Sequence, residues 1–164
     1  MINGKIIKVC GMREAENIQD VESIEGIDML GFIFYPKSPR CVYELPAYLP
    51  TYARRVGVFV NEGKQVVSMY ADRFGLNDVQ LHGNESPEYC RSLHSTGLKI
   101  IKAFSVDRPK DLKKVYDYEK VCDLFLFDTQ CEQYGGSGNQ FDWSILHTYN
   151  GHVPFLLSGG INSY

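Results

Sequence analysis

The chain has 164 residues, a formal net charge of −3 and a pI near 5.8, a length that suggests one domain and a charge that disfavours a nucleic-acid binder. Hydrophobic residues make up 44% and charged residues 23%, the balance of a globular chain rather than a disordered one. No apolar run approaches the roughly 18 residues of a membrane span, and the N-terminus has only a short apolar core and no small-residue cleavage site, so it is not a signal peptide. Five scattered cysteines without a Cys-x-x-Cys pair give neither a disulfide framework nor a zinc site. The expectation is a cytoplasmic protein with reduced, mostly buried thiols and no nucleic-acid or membrane partner.

In chain order, short apolar runs predict strands at Ile6–Val9, Met29–Phe34, Arg55–Val60, Asp78–Leu81, Leu98–Phe104, Leu124–Phe127 and Val153–Leu157. Their starts recur at roughly 20–30 residues, the length of a strand, loop and crossover helix. Most are continuously apolar, as parallel strands covered on both faces should be. Helical patterns lie between them. Glu14 to Ile24 places Ala15, Ile18, Val21 and Ile24 three apart, and Gly63 to Phe74 aligns Val66, Val67, Tyr70, Ala71 and Phe74. Ser86-Pro87 reads as an N-cap followed by a first helical proline. Asp107-Arg108-Pro109 predicts a similar helix start before strand six. These units give an α/β fold of parallel strands, either an open doubly wound sheet or a (β/α)₈ barrel, and in both the loops after the strand ends carry function.

Nearly every unusual polar cluster falls after a strand end. Cys10 stands where the first strand meets Gly11, and its thiolate could serve as base or nucleophile, or the residue could be a buried structural cysteine. Asp128 follows Leu124–Phe127. A carboxylate there is costly to bury unless paired or protonated, which would make it a candidate general acid; the alternative is a loop-bracing aspartate. Arg40, in a proline-stiffened loop, could grip an anionic ligand or be a solvated surface residue. His82 is read first as structural, with a site role by position. Gly135-Gly136-Ser137-Gly138 lacks the Gly-Lys-Ser/Thr ending of a P-loop, so ATP binding is not supported. Ser158-Gly159-Gly160 could offer backbone N–H groups to a phosphate, and either glycine cluster could also be a tight turn.

Taken together, these clusters resemble one family. Lys8-Val-Cys-Gly-Met12, Gly31-Phe-Ile-Phe-Tyr-Pro-Lys-Ser-Pro-Arg40, Val56-Gly-Val-Phe-Val-Asn61, Val79-Gln-Leu-His-Gly83, Phe127-Asp-Thr129, Tyr134-Gly-Gly-Ser-Gly138, Phe141-Asp-Trp143 and Leu157-Ser-Gly-Gly-Ile161 are similar, in order, to the motifs of phosphoribosylanthranilate isomerase. The resemblance implies a (β/α)₈ TIM-barrel-type fold and, without metal or cofactor, an Amadori rearrangement of a sugar-phosphate substrate in tryptophan biosynthesis. By position it implies Cys10 as the general base at the sugar C2, Asp128 as the general acid at the ring oxygen, and Arg40 holding the anthranilate end. His82 and the Gly135, Gly136 and Gly138 loop would line or cover the site, with Ser158, Gly159 and Gly160 at the phosphate. The related indole-glycerol-phosphate synthase uses a lysine acid, and cysteine and aspartate at the strand ends count against it.

A complete barrel typically needs at least ~200 residues. The expectation is therefore a single domain over 1–164, an incomplete barrel of about seven strands that stops at the start of helix seven and lacks the last βα unit. The alternative function is an inactive fragment with residual phosphate or ligand binding. Association or fusion with another tryptophan-pathway enzyme is compatible with either reading.

Overall fold

The computed structural model describes residues 1–129 and 142–161. The chain divides into two compact units, Met1–Asn84 and Glu85–Tyr164.

In the first unit, β1 (Lys8–Cys10), β2 (Met29–Ile33), β3 (Arg54–Phe59) and β4 (Asp78–Leu81) pair in parallel in that order. Every residue of β2 and β4 is buried, as parallel strands covered on both faces should be, and in β4 this includes the polar Asp78 and Gln80. The first strand starts two residues later than expected. At Ile7 the Asp28 carboxylate accepts the backbone N–H at 2.8 Å, and the Ile7 carbonyl accepts from Asp28 and Met29.

Helix α2 (Lys64–Phe74) covers one face of these strands, burying Val67, Ala71 and Phe74. Phe34 stacks on Tyr70 with ring centres 4.3 Å apart and meets Phe74 edge-on at 4.8 Å. The helix ends at Gly75 in the left-handed region (φ 57°), and a methyl there would stand 2.7 Å from the Arg55 guanidinium, which donates to the Phe74 carbonyl. Helix α1 (Ala15–Ser23) buries Ile18, while Ile24 lies beyond its end and is 55% exposed. Residues three apart fall back by about 60° per step on a helix of 3.6 residues per turn, so this series of four apolar residues spirals off the buried face.

Glu22 of α1 ties down the segment before β3. Its Oε1 accepts the N–H groups of Thr51, Tyr52 and Ala53 at 2.6–2.9 Å, and its Oε2 accepts the Tyr48 hydroxyl at 2.5 Å. Partial burial tends to raise its pKa, but the Tyr48 hydroxyl and the three amides outweigh this and hold it below the ordinary carboxylate value. A carboxylate lowered in the folded state contributes stability above its unfolded pKa and loses it as pH falls through the folded value. Glu22→Gln should therefore lower stability at pH 7 by about 1–2 kcal/mol, discounted for exposure. The difference between the two proteins, read from urea unfolding midpoints, should shrink as pH drops below the carboxylate range.

In the second unit, β5 (Lys99–Val106), β6 (Leu124–Thr129) and β7 (Phe155–Leu157) pair in parallel. Helix α3 (Pro87–His94) starts as predicted, with Ser86 Oγ accepting the Tyr89 N–H at 3.2 Å and Pro87 in the first turn. The predicted helix before β6 is instead a 3₁₀ helix, Pro109–Tyr118. Its inward residues Leu112 and Val115 and the half-buried Tyr118 recur every third position, and three residues per turn place all of them on one face. Phe104, Phe125, Phe127, Tyr149 and Phe155 form a ring cluster with centres 5.1–6.4 Å apart. Under α3 lies a buried ion pair, Lys102 Nζ to Glu85 Oε2 at 3.2 Å.

Candidate active site

In the first unit, Cys10 is the last residue of β1 and pairs with Gly31 of β2. A methyl at Gly31 would stand 2.7 Å from Cys10 Sγ, so the missing side chain is the space that the sulfur occupies. The other thiols among the described residues, Cys41, Cys90 and Cys122, are buried, whereas Cys10 is partly exposed. Gly11 follows with φ 98°, which turns the chain off the strand at low cost.

Arg40 reaches back over that turn. Its Nη1 donates to the Cys10 carbonyl at 3.3 Å, and a methyl at Gly11 would stand 2.9 Å from its Cδ. The loop that carries it closes on itself through Ser38 N–H to the Tyr35 carbonyl and Cys41 N–H to the Ser38 carbonyl. Arg40 is exposed, and one of its five guanidinium N–H groups is used in this contact. Thus the structure brings Cys10 and Arg40 together.

His82 follows β4. Its N–H donates to the Phe59 carbonyl at 2.8 Å, and its Nδ1 lies 3.1 Å from Gln80 Nε2. The next residues are braced by Asn61, whose Oδ1 accepts the Asn84 N–H at 2.7 Å. A methyl at Gly83 would stand 2.4 Å from that same oxygen.

In the second unit, β6 runs further than expected and takes in Asp128 and Thr129, paired with Ser105 and Val106. Asp128 is therefore the last residue but one of the strand. Its Oδ1 accepts the Thr129 N–H at 2.9 Å. Gly159, after β7, packs against it: a methyl there would stand 2.3 Å from Thr129 Oγ1 and 3.1 Å from Asp128 Oδ1. Ser158 N–H donates to the Phe127 carbonyl at 2.9 Å, and Gly159 and Gly160 both take positive φ, 84° and 67°. Gly135, Gly136 and Gly138 lie outside the described residues.

Lys8 and Gly31, which border Cys10, were not among the expected site residues. Lys8 was legible through strand alternation, since it stands two residues from Cys10. Gly31 was legible as a glycine in an apolar strand, a sign of close approach. Among the described residues, no group of three His, Cys, Asp or Glu side chains could hold a metal ion, and no helix is long and apolar enough to cross a membrane.

Parallel strands alternating with helices, with ionisable groups and glycine turns at the carboxyl ends of the strands, are the layout of a (β/α)₈-barrel-type enzyme. The family model of N-(5'-phosphoribosyl)anthranilate isomerase matches residues 7–164. The isomerase of Phocaeicola vulgatus is 54% identical over 156 residues, covering 95% of this chain and 76% of that protein. The crystal structure of the Thermotoga maritima isomerase aligns with a TM-score of 0.78 at 36% identity, covering 96% of this chain and 78% of that one. A second structure, a complex of phosphoribosylanthranilate isomerase with reduced 1-(o-carboxyphenylamino)-1-deoxyribulose 5-phosphate, aligns with a TM-score of 0.74 at 33% identity, covering 96% and 76%. The chain belongs to the phosphoribosylanthranilate isomerase family, the intramolecular aldose–ketose isomerases of tryptophan biosynthesis. Its fold is of the TIM-barrel type.

Proposed function

We propose that Cys10 is the general base and Asp128 the general acid in converting N-(5-phosphoribosyl)anthranilate to 1-(2-carboxyphenylamino)-1-deoxyribulose 5-phosphate. The observation that carries this reading is shared by both groups. Each sits at the carboxyl end of its strand, and each lies against a glycine, Gly31 or Gly159, whose missing side chain leaves it room.

The reaction moves protons and changes no oxidation state overall. An acid protonates the furanose oxygen, and the ring opens to a Schiff base at C1. A base then removes the C2 proton to give an enolamine, which becomes the ketone as C1 gains a proton and the C2 hydroxyl loses one. A carboxylic acid and a thiolate match those two tasks, and two groups serve better than one because acid and base need opposite protonation states.

Arg40 holds the anthranilate carboxylate, Gly159 and Gly160 offer backbone N–H groups to the phosphate beside Ser158, whose own N–H is taken by the Phe127 carbonyl, and His82 lines the site. The same proposal takes residues 1–164 as one barrel domain of a cytoplasmic enzyme, and counts Gly135, Gly136 and Gly138 among its substrate-binding residues. A charge-assisted hydrogen bond contributes about 1.5–3 kcal/mol. Arg40→Ala in the full-length enzyme should therefore lower kcat/KM by roughly 10- to 150-fold, followed as the loss of substrate fluorescence. An unchanged kcat/KM would remove Arg40 from the site.

A further inference from the structure

Strand alternation sets Lys8 and Cys10 on one face of β1, and the register puts Gly31 beside Cys10. A methyl on Gly31 would stand 2.7 Å from Cys10 Sγ and 3.0 Å from Lys8 Nζ. Sulfur and ammonium therefore converge over one bare Cα and lie no more than about 6 Å apart. Lys8 is half-buried. Among the described residues its ammonium makes no hydrogen bond or ion pair, while the neighbouring cation on that face, Arg54, is paired with Asp78. A lysine drawn off the surface without a carboxylate loses hydration that no protein partner returns. Its charge is directed instead at the space beside the thiol.

We infer that Lys8 is a positioning residue for the isomerisation, acting through Cys10: across the bare Cα of Gly31 its ammonium favours the thiolate, the form of Cys10 that can take a proton. The inference rests on the reading of Cys10 as the base. A cation within about 4–6 Å of an ionisable group favours its anionic form, typically by tenfold or more, and it is the thiolate that acts as base and nucleophile. Gly31 is part of the same device, because a side chain there would push the sulfur out of its place and separate it from Lys8.

The test uses the full-length enzyme and two readouts: steady-state kcat and KM, and the rate at which iodoacetamide alkylates Cys10 at pH 7 without substrate, measured by mass on the Cys10 peptide. Lys8→Met should slow alkylation and lower kcat, each by about tenfold or more, with KM little changed. Lys8→Arg, which keeps the charge, should recover most of both. Gly31→Ala should lower kcat with Lys8 still present. If Lys8→Met does not fold, as judged by circular dichroism, Lys8→Gln takes its place with the same expectation. Alkylation of Cys10 at the unaltered rate in a folded, uncharged Lys8 variant overturns the inference, whatever happens to kcat. Cys10→Ala separates the two readings. If that variant keeps normal kcat, Cys10 is not the base, and the alkylation arm still decides whether Lys8 acts on the thiol.

Discussion

Cys10→Ala and Asp128→Asn should each lower kcat by about 10²–10⁴-fold in the full-length enzyme, the range that a positioned general acid or base supplies, with the fold retained. Fold retention follows from where the side chains sit. Cys10 is partly exposed at a strand end, so removing the sulfur opens no sealed cavity. Asn at 128 is nearly isosteric with Asp and keeps an oxygen to accept the Thr129 N–H. What each change removes is the ability to exchange a proton. Cys41, Cys90 and Cys122 are the internal controls, since all three are buried; conservative replacements there should change stability before they change kcat. Near-normal kcat for Cys10→Ala would pass the role of base to another group, with His82 the first to test.

The largest loss of stability is expected at Lys102. Its ammonium is buried on β5 beside the equally buried Glu85 carboxylate, donates to the Ala103 carbonyl at 3.0 Å, and lies 5.3 Å from the centre of the Phe104 ring. Burial pulls the Lys102 pKa below its ordinary value, and the attraction of Glu85 opposes this. Lys102→Met would remove the ammonium that faces the buried Glu85 carboxylate, a change that typically costs about 3–5 kcal/mol. That is a large share of the roughly 5–15 kcal/mol by which a domain is stable. Removing both charges, as Lys102→Met with Glu85→Gln, should recover much of the loss, because the desolvation of two ions is then avoided. Chemical denaturation of the single and double variants measures both. A double variant no more stable than the single one would show that the pair holds the chain together in some other way.

The parts of the fold that were legible in sequence are those set by local patterns. The strand at Asp78–Leu81 is found with the predicted bounds, and Ser86-Pro87 starts its helix because a serine cap and a first-turn proline satisfy the same local geometry in any fold. Where packing decides, the sequence misled. The run predicted to begin at Ile6 starts its ladder only at Lys8 because a side chain, Asp28, takes the earlier N–H. The helix predicted after Asp107 tightens to 3₁₀ because its inward residues repeat every third position.

The candidate site divides along the same line. That Cys10 and Asp128 would stand at strand ends was readable from where the apolar runs stop. Gly31 could be read as a point of close approach, but that Gly31 and Gly159 make room for these two residues could not, because it depends on which residue lies beside which, and register is a tertiary property. Lys102 and Glu85 are 17 positions apart in the sequence, one inside an apolar run and the other in a loop, and nothing local pairs them.

The central claim, that Cys10 removes the C2 proton, is tested most directly at that bond. With N-(5-phosphoribosyl)anthranilate deuterated at C2, cleavage of the C2–D bond by the full-length enzyme can be followed by NMR beside its Cys10→Ala variant. The account predicts that cleavage slows by at least about 10²-fold in the variant, while substrate still binds; cleavage at the unaltered rate would contradict it.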